Sequence, residues 1–205
     1  MEKYKHTEKS IQKALDIRFS NNGIKYTVSN LYLFKQDWET DFLVVQRSSG
    51  YCYEIEIKVT RSDFLNDFKK EVKHKILREG VYPKKKYKRS WNQELNKTVS
   101  EAYYEDTSWD FRPNKFYYCV PEGMVEKNEV PEYAGLMYVR GDERYSTVYT
   151  VKEPKFIHKE RLKLEDKLCD KFYYYWKDSE KELMLLENKR KLYEKQITDL
   201  KNKLL

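Results

Sequence analysis

Tyr53-Glu54-Ile55-Glu56-Ile57-Lys58-Val59 is the stretch whose alternation decides how this chain is read. In a strand, successive side chains point to opposite faces, so Ile55, Ile57 and Val59 share one face while Glu54, Glu56 and Lys58 share the other. The apolar face calls for a core. The charged face has two readings: solvent on a two-layer sheet, or a site where acids and a lysine act together. Upstream, Asp41-Phe42-Leu43-Val44-Val45 is a second strand-like run, and Ser48-Ser49-Gly50 makes a turn between the two. They are expected to pair as a hairpin. Pairing of that kind brings the start of the first strand beside the end of the second, and so Asp41 beside Glu56 and Lys58.

Working outward, a helix is expected from Thr7 to Ser20, with Thr7 as N-cap and Ile11, Leu15 and Phe19 at four-residue spacing. Asn22-Gly23 ends it. Strands are expected at Val28–Phe34, Asp41–Gln46 and Tyr51–Val59. A second helix is expected from Asp63 to Arg78, with Ser62 as N-cap and a stripe of Phe64, Phe68, Val72 and Ile76. Residues 80–113 are polar and aromatic without a clear period, which reads as an insertion or long loop. Further strands follow at Lys115–Val120, Leu136–Arg140 and Ser146–Val151. The order α-β-β-β-α-β implies an α/β fold, a mixed central sheet flanked by helices. The last Gly is Gly141 and the last Pro is Pro154, so the remainder is expected to be helical. The domain reading is a globule over 1–165 and a helical, coiled-coil-like extension over 166–205.

Composition sets the class of partner. Lys and Arg number 41 against 34 Asp and Glu, for a net charge of +7 and a pI near 9.0. That balance suits a polyanion such as nucleic acid or an anionic surface. Charged residues make up 37% and mean hydropathy is −0.96, so much of the chain must be solvated. Cys52, Cys119 and Cys169 form no CxxC pair and read as reduced, packed thiols, not a disulfide framework or zinc site. The polar start MEKYKHTEKS is not the pattern of a secretory signal, and no run approaches the roughly eighteen apolar residues of a membrane span. An intracellular, cytoplasmic protein is expected.

The candidate site rests on charge. Two carboxylates that share a site repel one another unless a cation intervenes. Magnesium suits Asp41 and Glu56, because it takes oxygen ligands and keeps waters when one or two carboxylates hold it; manganese is the expected substitute. A phosphodiester would supply a further oxygen, and Lys58 can orient water or stabilise charge on phosphoryl oxygens. Glu8 has two readings. It falls on the helix stripe of Ile11, Leu15 and Phe19 and so can turn toward the site, or it serves the helix dipole in the first turn. The lysines of the second helix (Lys69, Lys70, Lys73, Lys75) can track phosphates or line a solvated face. The run Lys84-Lys85-Lys86-Tyr87-Lys88-Arg89 reads as a surface loop able to contact a strand, with Tyr87 or Trp91 available for stacking. His74 and His158 lack metal-ligand spacing and read as surface or helix residues. Leu183, Leu186, Tyr193, Ile197, Leu200 and Leu204 form a heptad seam interrupted at Arg190, suited to a homodimer, a protein partner or folding back on the globule. The aromatic run Phe172–Trp176 is expected to pack on a core.

Taken together, Asp41, Glu56-Ile57-Lys58, Glu8 and the element order resemble the PD-(D/E)XK nuclease superfamily, above all its small bacterial and phage members linked to DNA repair. In those, the ExK strand runs into a helix start similar to Thr60-Arg61-Ser62-Asp63-Phe64, followed by a basic stretch like Lys69–Lys75 and later strands like Lys115–Pro121 and Gly135–Val139. The likeness covers about residues 4–165. It implies a restriction-endonuclease-like core, with Asp41 and Glu56 as metal ligands, Lys58 as catalytic lysine and Glu8 as accessory acid. Thr40 stands where the motif has proline. A magnesium-dependent deoxyribonuclease of repair, recombination or phage replication is the expectation. Its alternatives are a catalytically silent nucleic-acid- or protein-binding module and a coiled-coil interaction component.

Overall fold

The computed structural model describes residues 4–35, 38–93, 96–142 and 144–203. Two compact units result, Met1–Leu162 and Lys163–Leu205. The first opens with α1 (Glu8–Arg18). Thr7 caps it through a reciprocal pair: the Thr7 hydroxyl accepts from the Ser10 amide, and the Ser10 hydroxyl accepts from the Thr7 amide. A meander follows, made of β1 (Ile24–Lys35), β2 (Trp38–Gln46) and β3 (Cys52–Ile57). Gly50 takes the left-handed conformation (φ +69°) in the turn before β3, a region that L side chains rarely adopt.

The chain then crosses through α2 (Arg61–Asp67) and α3 (Glu71–Glu79). It runs out and back along β4 (Val81–Asn92) and β5 (Lys97–Ser108), and returns as β6 (Lys115–Pro121), β7 (Ala134–Gly141) and β8 (Ser146–Lys152). The six-stranded sheet is ordered β1-β2-β3-β6-β7-β8, while β4 and β5 form their own two-stranded sheet. β3, β6 and β7 are parallel and the outer pairs antiparallel, so the fold is α/β with a mixed sheet. Every residue of β3 is buried, as expected of a central parallel strand covered on both faces.

The two covers separate by parity. Phe42, Val44, Ile55, Ile57, Tyr117 and Cys119 join Ile11, Ala14 and Leu15 of α1 in one core cluster. On the opposite face, Tyr118 stacks edge-on against Phe64 of α2 and against Phe116, and Glu54 and Glu56 project toward α3. The charged face of β3 is thus an interior face.

Several expectations are corrected. The single helix over Asp63–Arg78 is two helices, capped by Thr60, whose hydroxyl accepts from the Asp63 amide, and not by Ser62. The break follows Asp67, whose backbone carbonyl takes the Lys70 amide at 2.9 Å and the His74 ring at 3.0 Å. Val72 is consequently exposed and Phe68 only half-buried. Residues 80–113 are largely strand, not loop: Gly80 (φ +70°) ends α3, and twelve consecutive β4–β5 pairs follow. Cys52 and Cys119 are buried free thiols, whereas Cys169 is exposed.

The second unit is dominated by α4 (Glu165–Lys203), 39 residues long. The aromatic run Phe172–Trp176, expected to pack, is exposed along it, as are Leu183, Leu186, Tyr193, Ile197 and Leu200; Leu204 lies outside the described residues. Among the described residues no helix is long and apolar enough to cross a membrane.

Candidate active site

The β2–β3 register pairs Phe42 with Ile55 and Leu43 with Glu54, so one step further out Asp41 stands across from Glu56. Directly opposed residues share a face, and Asp41 also accepts a 2.7 Å hydrogen bond from the Ile57 amide through Oδ2. The two acids meet at the C-terminal end of β3, facing α3. They line a cleft of about 630 Å³ together with Lys58, Lys69, Lys70, Lys73, Tyr32 and Trp38.

Glu56 is the hub. Its Oε1 accepts from Lys58 at 2.7 Å and Lys70 at 3.3 Å, and its Oε2 accepts from Lys73 at 2.5 Å. Burial pushes its pKa upward, but Lys73 first, then Lys58 and Lys70, outweigh this and hold it below the usual carboxylate range. Asp41 is the opposite case. Burial, then the charge of Glu56, drive it up to about 7 despite the Ile57 amide and the more distant lysines.

Glu54 and Asp67, which the sequence reading did not select, and Lys73, which it placed on a phosphate-tracking face, complete the site. Glu54 is fully buried; its Oε1 accepts from the Trp38 indole at 2.6 Å and lies 3.6 Å from Lys73 Nζ, while Oε2 has no hydrogen-bond partner. Burial lifts Glu54 to about 8. Lys73 Nζ lies over the rings of Trp38 (5.1 Å) and Phe116 (5.0 Å), a cation–π setting that favours the charged amine in an apolar wall. Asp67 is buried at the end of α2. It accepts from the Tyr118 hydroxyl at 2.7 Å, and its Oδ1 lies 2.9 Å from Lys70 Nζ and 3.9 Å from Lys58 Nζ. Burial would raise its pKa, but His74, Lys73, Lys70 and Tyr118 together hold it far below the ordinary value. His74, read from sequence as a surface or helix residue, is buried. Its Nε2 donates to the Asp67 carbonyl, and its Nδ1 meets the Tyr133 hydroxyl at 2.5 Å.

The remaining sequence-selected residues divide. Lys58 joins the cluster as expected. Glu8 is exposed; its carboxylate accepts from Gln12 at 3.2 Å, and Gln12 in turn donates to the Asp41 carbonyl at 3.1 Å. It therefore serves the first turn of α1 and touches the site only through Gln12. Lys69 and Lys70 are exposed at the α2–α3 junction. Lys73, expected on a phosphate-tracking face, is instead buried on Glu56 and is unavailable for that role. Lys84, Lys85, Lys86 and Arg89 lie on β4.

Asp41 and Glu56 are the acids of the cleft that could hold a magnesium or manganese ion. Among the described residues no group of three or more His, Cys, Asp or Glu could hold a metal, which disfavours an all-protein cage. Two carboxylates with waters and a substrate phosphate need no such group. Asp41 takes its hydrogen bond from backbone and is pushed up by burial and then by the charge of Glu56, and a shared cation relieves the second of these. No protein-family model, curated protein or solved structure matches this chain.

Proposed function

We propose that the chain is a divalent-metal-dependent nuclease of the PD-(D/E)XK kind, hydrolysing phosphodiester bonds in DNA during repair, recombination or phage replication. The observation that carries this reading is the opposition of Asp41 and Glu56 across the β2–β3 pair, with Lys58 on Glu56, in a cleft lined by lysines and acids together. The β1-β2-β3 meander, the α2–α3 crossing and parallel β6 support a restriction-endonuclease-like frame in this reading.

Asp41 and Glu56 would hold the magnesium or manganese ion. When bound, it supplies Lewis-acid polarisation of the phosphoryl oxygen and a more acidic water. Lys58, anchored on Glu56 and within 4.0 Å of Asp63 and Asp67, points its charge at the oxygens that become more negative in the transition state. Lys69 and Lys70, exposed on the cleft rim, meet the flanking phosphates. Hydrolysis forms a bond from water oxygen to phosphorus and breaks the bond from phosphorus to the leaving sugar oxygen, which takes up a proton. The exposed Leu186, Ile197 and Leu200 of α4 are assigned to a second copy or a protein partner, and the cell interior is the proposed location.

A binding-only reading has one observation in its favour: the three ammonium groups already on Glu56. Incubation with single-stranded, duplex, flapped and branched DNA, with and without magnesium or manganese, separates the two. Metal-dependent cleavage that is lost in Glu56→Ala supports hydrolysis. Binding without cleavage under every condition supports the silent module.

A further inference from the structure

The β4–β5 ribbon carries a different charge on each face. Opposed residues of an antiparallel pair share a face, so the register divides the ribbon cleanly. On one face Lys84 stands opposite Glu105, Lys86 opposite Tyr103 and Lys88 opposite Glu101, and Lys86 makes an ion pair with Glu105. Lys84 and Lys88 thus each have an acid directly across the ladder. On the other face Lys85 stands opposite Tyr104, Tyr87 opposite Ala102, Arg89 opposite Ser100 and Trp91 opposite Thr98. The acid on that face, Asp106, sits near the ribbon base and is paired with Lys75 of α3 at 2.5 Å. Tyr87, Trp91 and Tyr104 are each about 60% exposed or more (62%, 59% and 67%). Cation and ring already associate there, with Lys85 Nζ 5.4 Å from the Tyr87 ring centre.

Interleaved cations and exposed aromatic rings along an unneutralised strand are what a single-stranded nucleic acid recognises: bases stack on the rings while phosphates meet the cations. An exposed apolar patch for a protein partner would lack the unpaired cations. The ribbon starts beside the cleft: Lys35, which lines it, lies 5.1 Å over the ring of Tyr82, on the Lys84–Lys86–Lys88 face of β4.

We propose that the Lys85–Tyr87–Arg89–Trp91 face of the ribbon, with Tyr104, binds single-stranded nucleic acid. The inference rests on the nucleic-acid reading of that cleft and names its substrate class.

The test is fluorescence anisotropy in EDTA on the full chain. The probes are a labelled oligothymidylate of about 20 nucleotides, long enough to exceed one binding face, and a blunt duplex of equal length. Tyr87→Ala/Trp91→Ala should weaken single-strand binding about 30-fold or more, with the salt dependence retained. Lys85→Ala/Arg89→Ala should reduce the slope of log affinity against log salt by about 1.4. Lys84→Ala/Lys88→Ala, on the face where acids stand opposite, should change either quantity little. All six positions are solvated, so these variants should keep the parent's unfolding midpoint. Equal losses from both faces, no loss from either, or a duplex bound with the same aromatic dependence would each overturn the assignment. Because binding is read without metal, a chain that never cleaves but shows the face dependence refutes only hydrolysis. A chain that cleaves without it refutes only this face.

Discussion

Lys73 Nζ lies 2.5 Å from Glu56 Oε2, with both side chains at most 6% exposed. This pairing makes the acid-lysine cluster part of the core as well as of the cleft. Removing one partner of a buried pair leaves an uncompensated charge, at a cost of about 3–5 kcal/mol. Lys58 and Lys70 remain on the other oxygen, so Lys73→Met should lie near the low end, about 3 kcal/mol. Lys69→Ala, at an exposed position, should stay within about 0.5 kcal/mol of the parent. Urea unfolding of the two variants checks this; equal effects would place Lys73 back on a solvated face.

The raised acids set the pH response of the metal-free protein. Unfolded, Asp41 and Glu54 ionise near 3.8 and 4.5; folded, they keep their protons to about 7 and about 8. Across that window the native state binds more protons than the unfolded one, so stability falls as pH rises and levels off above about 8. Glu56 and Asp67, held low, act oppositely: their contribution is full above the unfolded carboxylate values and is lost as pH falls below them. In EDTA the urea midpoint should therefore decline from about pH 5 to about pH 8. Asp41→Asn should remove part of the decline, and manganese should flatten it by neutralising Asp41. A midpoint that rises across the window would contradict this arrangement of burial and charge.

Glu8→Gln should leave any cleavage rate within about twofold and cost no more than about 1 kcal/mol, the worth of an acid in a helix first turn. Thermal unfolding and a cleavage time course measure both. A loss comparable to that of Glu56→Ala would restore Glu8 to the catalytic set.

How much of this was legible follows from periodicity and burial statistics. The Tyr53–Val59 alternation and the Asp41 run carried the meander and the opposition of Asp41 and Glu56, because a period of two fixes which residues share a face. The β4–β5 ribbon was missed because both of its faces are polar: KKKYKRSW has no apolar alternation to betray a strand. The burial of Lys73 and of Asp67 was missed for another reason. Lys and Asp are almost never buried unless paired, and their partners lie 17 and 51 residues away, on Glu56 and Tyr118. The break after Asp67 was hidden because its cause is the reach of His74 to a backbone carbonyl, not a Gly or Pro.

The long helix α4 should be separable in function from the first unit. A chain ending at Lys177 should keep metal-dependent cleavage and change its oligomeric state, because Leu186, Ile197 and Leu200 then no longer seek a partner surface. Light scattering on the full and shortened chains gives the answer. Monomers in both cases, with cleavage lost on shortening, would assign α4 to support of the active unit instead.

The most direct measurement is the single-turnover cleavage rate of a labelled DNA strand by the parent, Asp41→Asn, Glu56→Gln and Lys58→Ala chains, in magnesium and in EDTA, with unfolding midpoints recorded alongside. The parent should cleave in magnesium and not in EDTA. The two acid variants should be silent, and Lys58→Ala should be slower by about 10²–10³-fold with its fold intact. Cleavage that persists undiminished in Asp41→Asn and Glu56→Gln, or that proceeds equally in EDTA, would contradict the assignment of this acid pair as the catalytic centre.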